Sequence, residues 1–286
     1  MDCWVTPRTL PQDHFPKAIA TAGEFKAKQP TWRYKWMCHS WIVSMFRHCQ
    51  NSTVNIAAGP GQPSDLQCPT PDALAAFETA ARDGIINWHA FPFNAEPEAY
   101  DAGMFEASLN LTFIEDEHFG LPKRMTYSQR DVPGLTRAAI PLLAKAGVKG
   151  VTVGENGACA PVNVPPIFLW RDNATDTEVI ALFHAHGYGR RRQLHNFGES
   201  DTELLGIGAR DCVENADSKT AICYAWRSDN QGPHAYDEAM GIFTSVQKMF
   251  PNATVSASDA FDDFISRVEP FKANLPVVTA EVSSSQ

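Results

Sequence analysis

Long apolar runs are missing from this sequence. No stretch approaches the ~18–20 apolar residues of a membrane-spanning helix. The opening residues, MDCWVTPRTLPQDHF, lack the apolar middle of a signal peptide. Excess basic charge is missing too: a net charge of −9 and a pI of about 5.4 argue against a nucleic acid or an anionic membrane held by electrostatics. The one basic run, Arg190-Arg191-Arg192, reads as a solvated loop. Paired cysteine motifs are absent, since none of the seven cysteines has CxxC or Cys/His zinc-finger spacing. An odd count leaves at least one thiol unpaired if the others bridge. There are no internal repeats and no low-complexity tracts.

What is present suits an α/β protein. The 286 residues, 44% hydrophobic and 20% charged, are enough for one large domain or two small ones with a sizeable core. Apolar residues at helical spacing predict helices over His14–Lys28, Pro71–Arg82, Glu96–Glu117, Leu135–Ala146, Tyr236–Phe250 and Asp259–Val268. Strands are predicted over Trp32–Met37, Ile85–Phe93, Arg124–Ser128, Val148–Val153, Ala221–Trp226 and Thr254–Ala257, and Ile167–Arg171 with Val179–Ala185 reads as a hairpin. Gly187–Ala209 reads as irregular. Such alternation implies a mostly parallel sheet, open or closed, with helices outside it.

Lys123–Gly154 is the most legible unit, a strand, turn, helix and strand. Its turn places Gln129, Arg130 and Asp131 beyond a strand's carboxyl end, where α/β proteins gather reactive groups. Asp131 is a catalytic candidate or a helix cap. Three further segments carry polar groups at predicted strand ends. In NWHAFPFN, His89 is a metal or sugar-hydroxyl candidate, or a packed histidine, while Trp88 or Phe91 offers a stacking face. In HAHGYG, His184 and His186 share one strand face, which suits Zn²⁺ chelation, and Tyr188 follows as a sugar-contacting candidate. In WRSDNQGP, Asp229 is a second carboxylate, with Asn230 beside it as a substrate contact. Asp131 and Asp229 across one mouth would form the acid pair that glycoside hydrolysis needs; Glu155, Asp172 and Glu199 fit the pattern almost as well. Four Asn-x-Thr sequons, at Asn51, Asn110, Asn173 and Asn252, lean towards a secretory or vacuolar setting, while the lack of a signal peptide keeps a cytoplasmic one open.

The run SQRDVPGLTRAAIPLLAKAGVKG resembles the nucleophile segment of glycoside hydrolase family 38, the α-mannosidases, with Val132 inserted between Asp and Pro. RSDNQGPHAYDEAMGIFTSVQKMFPNATVSASDAFDDFISRV is similar to a later part of that catalytic domain. WHAFPFN and HAHGYG resemble runs of a less characterised relative. The resemblance spans roughly His14 to Val282. It leaves 1–13 as an atypical N-terminal segment, 14–282 as the barrel domain and 283–286 as a tail. It implies an incomplete seven-stranded β/α barrel of the glycoside hydrolase/deacetylase type, acting on carbohydrate with one zinc. Asp131 would be nucleophile and zinc ligand, and Asp229 the acid/base or a substrate-binding carboxylate. The family's N-terminal His-x-Asp has no counterpart, since neither His14 nor His39 heads one. Its loss predicts an impaired metal site. LPVVTAEVSSSQ likewise stops where relatives continue, which reads as a shortened form. Two rivals follow: a metal-dependent deacetylase using Asp131 as base, and a non-catalytic carbohydrate-binding remnant using Trp88, Phe91 and Trp226.

Overall fold

A computed structural model describes residues 13–49, 68–131, 134–155, 162–185, 207, 211–226 and 232–282. Apolar residues on one stripe and a proline in the first turn start helix α1 (Phe15–Lys28), which buries Phe15, Ala18, Ala22 and Phe25. Strand β1 (Trp36–Cys38) follows, and helix α2 (Ser40–Arg47) occupies the stretch after His39. Helix α3 (Pro71–Arg82) has the predicted bounds because its signals are local: the Thr70 hydroxyl accepts from the Ala73 N–H, and Pro71 opens the first turn. Strand β2 is Ile86–Trp88. Helix α4 (Ala102–Phe119) is capped by Asp101 and ends at Gly120, whose φ of 67° closes the last turn.

The central unit is strand β3 (Thr126–Asp131), helix α5 (Ala139–Ala146) and strand β4 (Gly150–Glu155). Helix α5 starts later than its periodicity suggests because Leu135 is taken by a bridge to Val282. Strands β5 (Ile167–Asp172) and β6 (Thr177–His184) form the predicted hairpin, and β7 (Cys212–Asn215) with β8 (Thr220–Cys223) forms another, bridged by a Cys212–Cys223 disulfide. Helices α6 (Tyr236–Met249) and α7 (Asp262–Val268) and strand β9 (Val277–Val278) complete the chain; Thr254–Ala257, expected as a strand, lies outside any element.

The architecture is mixed α/β. Strands β1 and β2 pair in parallel, and a five-stranded sheet runs β3-β4-β6-β5-β9. Strands β3, β4 and β6 are mutually parallel, whereas β5 is antiparallel to β6 because a hairpin must reverse the chain. The Ala90 N–H donates to the Thr126 carbonyl at 2.8 Å, which brings the end of β2 against β3. Side-chain alternation gives the larger sheet two apolar faces. Tyr127, Val151, Val153, Ala181 and Trp170 pack on the side of α4 and α5. Leu169, Ile180 and Leu182 pack on the other side with Ile222, Tyr224 and Ile265. We call the latter the inner face. A third cluster joins α1, α2 and α3 to β1 and β2.

Candidate functional site

Histidines immediately follow the short strands β1 and β2, and another ends β6. His39 and His89 are buried, and their rings meet edge to face with centroids 4.9 Å apart. Their proton positions follow from the hydrogen bonds. The Phe91 N–H donates to His89 Nδ1 at 3.2 Å, so the neutral ring carries its proton on Nε2. That nitrogen donates to His39 Nδ1 at 2.8 Å, which puts the His39 proton on its own Nε2. Burial holds the pKa of His39 down at about 3, and burial together with the neighbouring His39 holds that of His89 well below the ordinary value.

Arg130 sits one residue before the end of β3, opposite Gly154, which in turn pairs with His184. The two side chains therefore share a row on the inner face and meet over a residue with no side chain. A guanidinium only donates, so His184 Nδ1, 3.3 Å from Arg130 Nη1, accepts. The neutral His184 ring then carries its proton on Nε2, which stands 3.9 Å from Asp211 Oδ1. Arg130 Nη2 donates to the Thr152 hydroxyl at 3.2 Å, and its Cζ lies 4.0 Å from the Trp226 ring centroid and 5.0 Å from that of Tyr224. His184 stacks on Tyr224 at 4.3 Å. Burial raises the pKa of the Tyr224 hydroxyl. The hairpin supplies both Asp211 and Tyr224: the Tyr224 N–H donates to the Asp211 carbonyl, directly beyond the Cys212–Cys223 bridge.

Asp131 ends β3 with φ 75°, a left-handed conformation that a non-glycine residue adopts at a cost. Its surroundings fix it there. Gln129 Nε2 donates to the carbonyls of Ala95 and Gly134, and Gln129 Oε1 accepts from the Tyr127 hydroxyl and the Ala95 N–H. The Arg130 N–H donates to Asn94 Oδ1. The segment after β2 and the chain after β3 are thus tied through one amide.

Of the residues singled out from sequence, Trp88, His89, Asp131 and His184 are described, whereas Asp229, Asn230, His186 and Tyr188 lie outside the described residues. Trp88 is fully buried, donating from Nε1 to Asp116 Oδ1 at 2.7 Å, with Phe119 against its ring. His89 is joined to His39 rather than set on a surface. His184 meets Arg130, while Asp131 lies one residue further along β3, across β4 from it. His39 and Asp211 were not singled out. A histidine just past β1 was the signal for His39; nothing local marks Asp211, which the hairpin positions. Among the described residues no group of three or more His, Cys, Asp or Glu is arranged to hold a metal ion.

No protein-family model matches the chain, and no curated protein matches it in sequence. Among solved structures it is similar to an alpha-mannosidase from Enterococcus faecalis V583, at 12% identity and a TM-score of 0.56, covering 94% of this chain and 28% of that one. A protein in the glycosyl hydrolase family 38 from Enterococcus faecalis aligns at 12% identity and a TM-score of 0.44, covering 93% of this chain and 26% of that one. A 4-alpha-glucanotransferase from Thermococcus litoralis aligns over 59% of this chain and 24% of its own, at 10% identity and a TM-score of 0.38. The first of these likenesses shows the fold to be of the α-mannosidase kind, and the chain spans about a quarter of the length of each of these structures.

Proposed function

We propose that this chain is a glycoside hydrolase-like protein of the zinc-dependent, retaining α-mannosidase type, built on an incomplete seven-stranded β/α barrel of the glycoside hydrolase/deacetylase type, with Asp131 as nucleophile. The observation that carries the reading is the left-handed Asp131 at the carboxyl end of β3, held by the Gln129 amide beside the buried Arg130 cluster. Strain kept at a strand end by its neighbours is a mark of functional sites. In this reading the Asp131 carboxylate attacks the anomeric carbon while the glycosidic C–O bond breaks. Asp229 protonates the leaving oxygen, and water then releases the sugar with retention. Arg130 orients His184 and keeps its proton on Nε2, and Trp226 is pinned by the same guanidinium.

Zinc would be held by Asp131, His184 and His186. Carboxylate and imidazole donors suit it; His184 would ligate through Nε2 only with its ring proton moved to Nδ1, which gives up the bond accepted there from Arg130. Bound there, zinc would orient sugar hydroxyls and offset developing charge.

The test is incubation of the folded chain and Asp131→Asn with aryl α-mannosides, and of the parent with a fluorinated mannosyl donor that traps the glycosyl ester. Turnover lost in the variant, with the trapped sugar mapped to Asp131, supports the reading. Acetate release without an adduct favours the deacetylase. Sugar binding equal in parent and variant, with no turnover and no adduct, favours the carbohydrate-binding remnant. Either outcome sinks Asp131 as nucleophile.

A further inference from the structure

From the surface turns we infer that Asn173 and Asn252 carry N-linked glycans. Of the four sequons, that at Asn51 lies outside the described residues, and the other three differ in how they are presented. Asn173-Ala174-Thr175 is exposed along its whole length in the turn joining β5 to β6. There the Asp172 carboxylate accepts from the N–H and hydroxyl of Thr175, which turns the Asn173 side of the loop outward. Asn252-Ala253-Thr254 is likewise exposed throughout, in the turn after α6. Asn110 stands within α4, and its Thr112 is fully buried with its hydroxyl 2.7 Å from that of Ser40. In the folded chain both turn tripeptides present asparagine and threonine together to a transferase, whereas the Thr112 of α4 is withdrawn into the core.

The second observation is covalent. Cys49–Cys68 and Cys212–Cys223 are disulfides, while Cys38 remains a thiol in the core. Two cystines mark an oxidising compartment, and in eukaryotes the secretory lumen is where Asn-x-Thr acceptors meet their donor. That donor is a lipid-linked oligosaccharide diphosphate. The Asn amide nitrogen bonds to the anomeric carbon as the bond to the diphosphate oxygen breaks; the amide proton is lost and the lipid diphosphate leaves, with no redox change. Position permits the modification. Strand β6 separates the Asn173 turn from His184 by about 23 Å at ~3.3 Å per residue, so a glycan there leaves the candidate site open.

The experiment routes the full chain through the secretory pathway of a eukaryotic host and collects both cellular and secreted pools. Differential alkylation identifies the cystine-bearing molecules. Peptide-N-glycosidase in ¹⁸O-water then converts each glycosylated Asn to labelled Asp, read by mass spectrometry. Labelled Asp at 173 and 252, with Asn173→Gln and Asn252→Gln each removing one glycan step in gel mobility, is the expected result. Cystine-bearing chain whose Asn173 and Asn252 stay unlabelled overturns the inference, and label at one alone overturns the other. Because peptides are read from the cellular pool as well, retention of the chain does not silence the test.

Discussion

His39 and His89 illustrate how single residues set the acid limit of this protein. Both imidazoles are buried neutral, His39 with its pKa near 3, while the unfolded chain protonates histidine below about 6.5. Their contribution to stability is therefore whole above pH ~6.5 and is lost as pH falls from there towards 3. Asp262 acts in the opposite sense. Burial raises its pKa to about 7, so the stability tied to its protonated form is present below the unfolded value of 3.8 and lost as pH rises through 7. Melting curves between pH 4 and 8 separate the two, because each proton contributes a slope of about 1.4 kcal/mol per pH unit. His39→Gln flattens the acid-side loss, and Asp262→Asn removes the loss towards neutrality. Slopes matching the parent in both variants would refute these assignments. Asp131 yields a different prediction. Glycine adopts φ 75° freely, so Asp131→Gly keeps or raises stability by about 1 kcal/mol while abolishing any glycosyl trapping. A variant that unfolds more readily than the parent would count against strain at this position.

Among elements, α7 meets the sheet at one glycine. A Cβ on Gly150 would fall 2.6 Å from Ile265 Cδ1, so the first residue of β4 lets the helix approach. Gly150→Ala should destabilise by about 1–3 kcal/mol in urea titration. Ile265→Val should recover part of that in the double variant, although alone it costs about 0.5–1.5 kcal/mol. Strictly additive losses would show that the contact does not set the spacing. The same element level explains what could be read from sequence. Helices α3 and α6, the β5–β6 hairpin and the βαβ unit were legible because period, caps and turn residues are local signals. The Trp32–Met37 run yields a strand only from Trp36 to Cys38, where β2 offers partners. Strand β7 pairs locally with β8 in a hairpin, whereas the parallel β5–β9 pair depends on contacts far along the chain. So does the candidate site: Arg130 reads as a turn cation until Gly154 and Trp226, distant in sequence, form its pocket. The inner-face cluster was therefore only half visible, with His184 marked by its strand end and Asp211 by nothing nearby.

Across the whole molecule, residues 277–282 act as a strap from the far edge of the five-stranded sheet to the chain just beyond Asp131. Val277 and Val278 pair in parallel alongside β5 as the edge strand, and the Ala280 carbonyl accepts from Trp170 Nε1 at 2.8 Å. The Thr279 carbonyl accepts from Arg137 Nη1, Glu281 accepts from the Arg137 N–H, and Val282 bridges Leu135. Trp170, Leu135 and Val282 are buried together in the outer cluster. Uncovering a large apolar side chain costs about 1.5–3 kcal/mol, and a domain has only ~5–15 kcal/mol in hand. Ending the chain at Pro276 should accordingly cost several kcal/mol and shift tryptophan emission to the red as Trp170 meets water. Glu281→Ala, which leaves the apolar contacts in place, should cost at most about 1–2 kcal/mol through the lost bond to Arg137. If the strap organises the loop after β3, hydrogen exchange at the amides of Gly134 and Leu135 should quicken in the truncated chain while that of Val151 and Val153 changes little. Uniform loss of protection across β3 and β4 would instead make the strap one part of a single cooperative unit, with no special hold on the Asp131 loop.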